Sequence, residues 1–285
     1  MNKFLKLKRL FLFFILCWGA APLWAGPADW SFLPASTIFK PTIGDPREYL
    51  TGFTGYLDQV EYVGQVGTYF EFVRYAPEET TQFGWGLFGA GFILLGEDGD
   101  TFPMMAGDWY VGTYFSAVLD DFSMKLAVLH ESGHLGDSYQ YIASTPYGSY
   151  LDSNPLPIFY SRENFNYTLS WQPNDYLRLY GGAGDWFDIN PVGNPYFAFV
   201  GTELYTPYWS IDNSVMRAYV TAHFRYQGEI QTFNNEFQLG LQWKNQKNGG
   251  RDIRFALIYY TGDNPFAQFY NVPDSHWGLS TFFDF

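Results

Sequence analysis

Read back from the C-terminus by twos, the chain gives Phe285, Phe283, Thr281, Leu279 and Trp277, with Asp284, Phe282, Ser280, Gly278 and His276 between them. A period of two sends alternate side chains to opposite faces of a β-strand, here one greasy face and one mostly small or polar. The pattern recurs upstream. Strands are expected near 49–56, 66–74, 82–94, 108–119, 122–134, 158–171, 176–186, 196–205, 215–226, 235–243 and 252–260, with the last at 275–285. In 237–243 the outward set is Phe237, Leu239, Leu241 and Trp243, with Gln238 and Gln242 inward. In 253–259 it is Ile253, Phe255, Leu257 and Tyr259, with Arg254 inward. Many strands with one apolar face and few helices predict an all-β fold: a transmembrane antiparallel up-and-down barrel of 12 strands. Ten or fourteen strands would satisfy the same parity rule.

Composition supports that reading. Aromatic residues make up 22% of the chain, with 29 Phe, 23 Tyr and 10 Trp. Barrels of the outer membrane use such rings as girdles at both lipid interfaces. No apolar run after the N-terminus reaches the roughly 20 residues that a membrane helix needs. The N-terminus itself reads as a secretory signal peptide over 1–25: Lys3, Lys6, Lys8 and Arg9, an apolar run, then Leu23-Trp24-Ala25 before Gly26. Cleavage there removes the single cysteine and four of the 16 basic residues, leaving 12 against 29 acidic ones, a net charge of −17. That balance argues against nucleic acid, and loss of the single cysteine leaves no disulfide or thiol chemistry. The expected address is the bacterial outer membrane.

An even strand count puts both termini in the periplasm. Asp120-Asp121 and Pro173-Asn174-Asp175 then read as tight periplasmic turns. Gly96–Gly107, Leu135–Pro157 and Thr261–Asp274 read as long external loops. Within residues 26–48 the stretch 33–48 carries three prolines and no alternation, so 26–48 form a separate extended segment, in the periplasm or tucked into the barrel mouth; the barrel proper covers 49–285. Arg162, Arg178, Arg217, Arg225, Arg254, Glu203 and Glu236 fall on inward parity. They read as a polar packed interior or as the lining of a narrow solute channel. A final strand ending on Phe285 matches the type of signal that the barrel assembly machinery takes up.

Several phrases carry a family resemblance: "LPASTIF" and "DPRE" within 33–48, "HESGHLGD" at 130–137, "SRE" at 161–163, "LRLYGGAG" at 177–184, "YYTGDNPFAQFY" at 259–270 and "WGLSTFFDF" at the end. As a set they resemble an uncharacterised bacterial family, domain of unknown function 1207, thought to be outer-membrane barrels. The resemblance implies the fold and no established activity.

"HESGH" also fits the H-E-x-x-H pattern of zinc proteases, in which two His one helical turn apart reach one ion. Here it closes a strand in which Phe122, Met124, Leu126 and Val128 alternate with Ser123, Lys125, Ala127 and Leu129. On a strand His130 and His134 share a face but stand about 13 Å apart. A zinc protease is therefore not expected. Outward parity instead carries His130, Ser132 and His134. If Phe122 pairs with Trp171, the antiparallel register sets His130 opposite Glu163 and Ser132 opposite Ser161. A Ser, a His and a carboxylate then meet on the outer wall, the components of nucleophilic acyl transfer.

That arrangement is similar to the outer-membrane phospholipase A family, which has twelve strands and a His-x-Ser pair on the outer wall. The likeness implies His130 as base and Ser132 as nucleophile. It also implies calcium as electrophile and an Asn behind the His. Here the third member is Glu163 by parity or Asn164 by residue type. For calcium, Asp137, Asp152 and the 97–100 loop are the candidates. The competing reading makes His130, Ser132 and His134 interface residues where the strand leaves the membrane, hydrogen-bonded to lipopolysaccharide headgroups or loop backbone. His223 is expected to pair with a luminal acid, and "GEDGD" at 96–100 to be a solvated turn.

Overall fold

A computed structural model describes residues 29–59, 61–138, 142, 159–190, 194–245 and 252–284. The expected signal peptide, Asp152 and Phe285 lie outside the described residues. The strands are β1 (Trp30–Phe32), β2 (Thr51–Tyr56), β3 (Glu61–Glu78), β4 (Thr81–Gly96), β5 (Met104–Leu119), β6 (Phe122–Leu135), β7 (Tyr160–Asn174), β8 (Leu177–Asn190), β9 (Tyr196–Tyr205), β10 (Trp209–Ile211), β11 (Ser214–Gln227), β12 (Thr232–Asn245), β13 (Asp252–Asp263) and β14 (Pro273–Asp284). Twelve of them close into an antiparallel barrel, each beside its chain neighbour, with β14 pairing β2 to complete the ring. The short β1 and β10 lie outside the ring, on β3 and β11.

Period-two alternation survives almost everywhere because the outward face is apolar while the inward face carries the charged side chains among its packed rings, so a one-residue slip would expose those charges on the outside. Outward side chains such as Val200, Val220, Leu239 and Leu279 are exposed, while the inward Arg178, Glu203, Gln238 and Arg254 are buried. Exposed aromatics gather near both ends of this band: Phe122, Trp171, Trp243 and Phe283 at the end of short turns, Trp109, Tyr196, Phe233 and Trp277 at the other. The turn between β5 and β6 is two residues long, with Asp120 at φ 52°, a left-handed conformation that Asp tolerates. The β4–β5 loop is shorter than expected, because β5 starts at Met104 rather than after Gly107.

β3 is longer than its sequence pattern suggests. It begins at Glu61, five residues before the expected start, and carries register shifts between Glu71 and Val73 and between Tyr75 and Glu78. Over 61–65 Glu61, Val63 and Gln65 point inward between Tyr62 and Gly64, so neither face is uniformly apolar or polar; the bulges break the two-residue period only beyond Glu71.

The N-terminal segment runs inside the barrel. Arg178 donates to the carbonyls of Lys40 and Pro41, at 2.7 Å each. The Ile43 amide donates to Glu203 at 2.9 Å, and Gln238 donates to the Ile43 carbonyl at 2.9 Å. Further along, Arg47 reaches Asp108 at 2.6 Å, and Lys125 sits 3.7 Å from Glu48. Past β1 the segment has no strand ladder, so buried luminal side chains satisfy much of its backbone instead. Burial opposes ionisation of Glu48, but Lys125, the Thr42 hydroxyl and amide, and Tyr69 overcome it and hold the carboxyl at about 2.

The other end is capped by the β13–β14 loop. Its 3-10 turn, Ala267–Phe269, buries Phe266, Ala267 and Phe269 against the apolar cluster of Phe92, Leu94 and Met105. Asp108 accepts from the Ala267 amide as well as from Arg47, so one buried carboxylate ties plug and cap together.

Candidate functional site

β6 and β7 pair in the expected register, with Phe122 opposite Trp171, His130 opposite Glu163 and Ser132 opposite Ser161. On the outward face His130 Nδ1 lies 2.8 Å from Glu163 Oε1. The two side chains are 39% and 40% exposed, so the pair contributes no more than about 1 kcal/mol to stability. Its consequence is orientation: with Nδ1–H donated to the carboxylate, Nε2 is left as the free basic nitrogen. Ser132 follows two residues along the same face, flanked by Trp109 on β5 and Ser161 on β7. No hydrogen bond joins Ser132 to His130 in this structure; at strand spacing their Cα atoms stand about 6–7 Å apart. Asn164, the other candidate for third member, is buried, faces the lumen and accepts a bond from Asn166, so Glu163 is the residue beside His130.

Glu131 points the other way. It is buried in the lumen and accepts from the hydroxyls of Tyr110 at 3.0 Å and Tyr160 at 3.2 Å. A zinc protease needs its Glu beside the metal-bound water, and here the wall stands between Glu131 and the histidines. His134 is exposed beyond His130. Gly133 serves a packing role. A Cβ there would lie 2.2 Å from the Ala267 side chain, and its carbonyl accepts from Gln268 at 2.9 Å. Glycine at this position lets the cap seat on the wall.

Among the described residues, no His, Asp and Glu side chains form a group of three that could hold a metal ion. In the 97–100 loop, Glu97 accepts from Tyr62 and Asp98 bridges Thr101.

The lumen holds further chemistry. A cavity of about 120 Å³ is lined by Arg47, Glu48, Lys125, Glu131, His223 and Arg225, among others. His223 differs from expectation: its Nδ1 meets the Tyr180 hydroxyl at 3.0 Å rather than an acid. Arg162 pairs with Glu229, and Arg178 lies 3.4 Å from Glu203. His276 bonds Asp274 at 3.1 Å. The Arg47–Asp108 and Glu48–Lys125 pairs escaped the reading of the sequence. Their one local signal was a charged Arg-Glu pair in a proline-rich stretch without strand periodicity.

A family model described as protein of unknown function (DUF1207) matches residues 27–285. No curated protein matches the chain.

Proposed function

Because the chain belongs to the DUF1207 family, whose description assigns no activity, we propose a role from its own surfaces: an integral protein of the bacterial outer membrane. The outward apolar band carries this reading. On β12 ten residues separate Phe233 from Trp243, both outward and exposed. At about 3.3 Å per residue and a tilt of about 40°, that is a height of ~25 Å, the apolar thickness an outer-membrane barrel presents. Along the band most charged side chains face the lumen, as a lipid surrounding demands; the outward exceptions, Glu163 and Asp185, stand toward the end that carries Trp109 and Tyr196. On this reading the leader through Ala25 is removed on export. The last strand, ending in Phe285, engages the barrel assembly machinery, and lipids and lipopolysaccharide surround the outer wall. Fractionation of cells tests it: recovery with outer-membrane porins and heat-modifiable mobility is expected, and recovery in the periplasmic fluid overturns it.

A second reading rests on the His130–Glu163 contact. With the outer wall in lipid, Ser132 Oγ would attack an ester carbonyl as His130 Nε2 takes its proton. Glu163 would steady the imidazolium, and the same proton would then leave with the alcohol. Water would release the acid from Ser132 in a second, equivalent cycle. The substrate class would be glycerolipid esters of the outer-membrane interface. Purified protein, assayed on mixed micelles with and without calcium, should release fatty acid; no release under either condition ends this reading. The solute-channel alternative has less support, since the N-terminal segment and the cap occupy the lumen.

A further inference from the structure

The barrel wall is incomplete at the end of short turns. β2 pairs with β3 only from Tyr62 to Gln65, and the Thr51 hydroxyl extends that contact to Gly67. β1 joins β3 at Val73, after the Leu33 amide bonds the Phe72 carbonyl. Among the described residues, 68–71 of β3 therefore have no strand on the β2 side. The opposite lip of this notch is the end of β14, where Phe283 pairs with Thr51. Thr68, Phe70 and Phe283 face outward at the lips and are exposed.

Behind the notch lies a cavity of about 850 Å³, lined both by those outward residues and by luminal Lys40, Arg178, Glu203 and Arg217. Small-molecule sites typically measure about 300–1,000 Å³. The charges inside are unbalanced. Glu203 is matched by Arg178, Asp252 by Lys244, and Glu71, at the notch, by Arg74. The hydrogen bonds of Lys40 and Arg217 go to neutral groups on β7, the β7–β8 turn and β12. Lys40 donates to Gln172 at 3.1 Å, and Arg217 donates to Gln242 at 2.6 Å and to the Asp175 carbonyl at 3.4 Å. Arg217 is also stacked on Tyr205 at 3.7 Å and Tyr208 at 4.7 Å, which fixes its plane. Lys40 is accessible to solvent, yet it stands in the mouth of the cavity. Lost hydration first, then the charges of Arg178 and Arg217, lower its pKa against the opposing pull of Asp175 and Glu203. Two cations held by amides, in a chain with an excess of acids, form a place for an anion.

We propose that this cavity binds a single-chain anionic amphiphile, its carboxylate or phosphate head on Lys40 and Arg217 and its chain leaving through the notch past Phe70 and Phe283. The head needs the charge pair, and the tail needs an opening onto an apolar surface; the notch joins the two. Only the route of entry, from surrounding lipid, rests on the outer-membrane reading. The binding site itself does not.

Equilibrium binding to the full chain in non-ionic micelles tests the site, with palmitate, lysophosphatidate and uncharged methyl palmitate as probes. At least one anion should bind at least tenfold more tightly than the methyl ester, and the paired change Lys40→Gln with Arg217→Gln should remove that preference. Palmitate alone would identify a free fatty acid, lysophosphatidate alone a phospholipid-derived head, and both a shared site. Equal binding of the ester, or an unchanged preference in the double variant, overturns the proposal. Should that variant fail to fold, cross-linking of diazirine palmitate to the wild type decides: adducts on the strands carrying Phe70 and Phe283 are expected, and adducts only elsewhere on the band overturn it. Binding in micelles by a protein that fractionates away from the outer membrane would defeat the membrane reading and leave the site standing.

Discussion

His130 and Glu131 are neighbours in sequence and face opposite sides of the barrel wall. His130 bonds Glu163 outside, and Glu131 accepts from Tyr110 and Tyr160 inside. A helix would have gathered these letters around a metal ion; a strand divides them between two environments. The outer half gives a His-carboxylate pair beside a serine, and the inner half gives a structural carboxylate.

If the outer group is hydrolytic, Ser132→Ala and His130→Ala should each abolish release of fatty acid from phospholipid micelles. Glu163→Gln should lower kcat by about 10²–10⁴ while sparing KM, because it disturbs the imidazole and not the lipid surface. Equal rates in wild type and Ser132→Ala would assign any activity to a contaminant.

Gly133→Ala should destabilise the cap by about 1–3 kcal/mol, since its Cβ meets Ala267 at 2.2 Å. Ala267→Gly in the same chain should recover much of that loss. Thermal unfolding of the four members of the cycle measures the coupling, and additive effects would contradict the contact.

Arg47→Ala should loosen the plug by about 3–5 kcal/mol, because it strands the buried Asp108. Added Asp108→Asn should recover part of this. In planar bilayers the wild type should be nearly silent and the Arg47→Ala barrel should open in bursts. A wild type that conducts steadily would mean that residues 34–50 do not block the lumen.

Glu48 gives the plug a pH limit. Its carboxyl titrates at about 2 in the folded chain and at an ordinary 4.5 once released. A depressed folded value stabilises fully above the released value, and the contribution fades as pH falls from 4.5 through about 2. The segment should therefore resist protease at pH 4 and become accessible toward pH 2. Glu48→Gln should flatten that dependence. Release already complete at pH 4 in the wild type would contradict the Lys125, Thr42 and Tyr69 contacts around it.

The wall was legible in the sequence, and its contents were not. Alternation from Phe122 to Val128, aligned on Trp171, was enough to set His130 opposite Glu163, because one apolar and one polar face leave a single parity. The plug has no such period. Arg47 finds Asp108 61 positions away, and Asp108 in turn meets Ala267 159 positions further on. No local pattern announces contacts at those separations. The start of β3, 61–65, was missed because Glu61, Val63 and Gln65 alternate with Tyr62 and Gly64, so neither face is uniformly apolar; its end was missed because bulges beyond Glu71 break the period, and β1 and β10 because three residues are too few to show one.

The central claim, that the outer wall faces lipid and the inner wall does not, is tested most directly by spin labels at two adjacent positions of β12, Leu239 and Gln238. Leu239 is 58% exposed on the outward face and Gln238 is 3% exposed in the lumen. In reconstituted bilayers a label at Leu239 should be relaxed strongly by oxygen and weakly by a water-soluble nickel chelate, while a label at Gln238 should respond weakly to both. Strong relaxation of the Leu239 label by the nickel chelate would place that face in water and contradict the account.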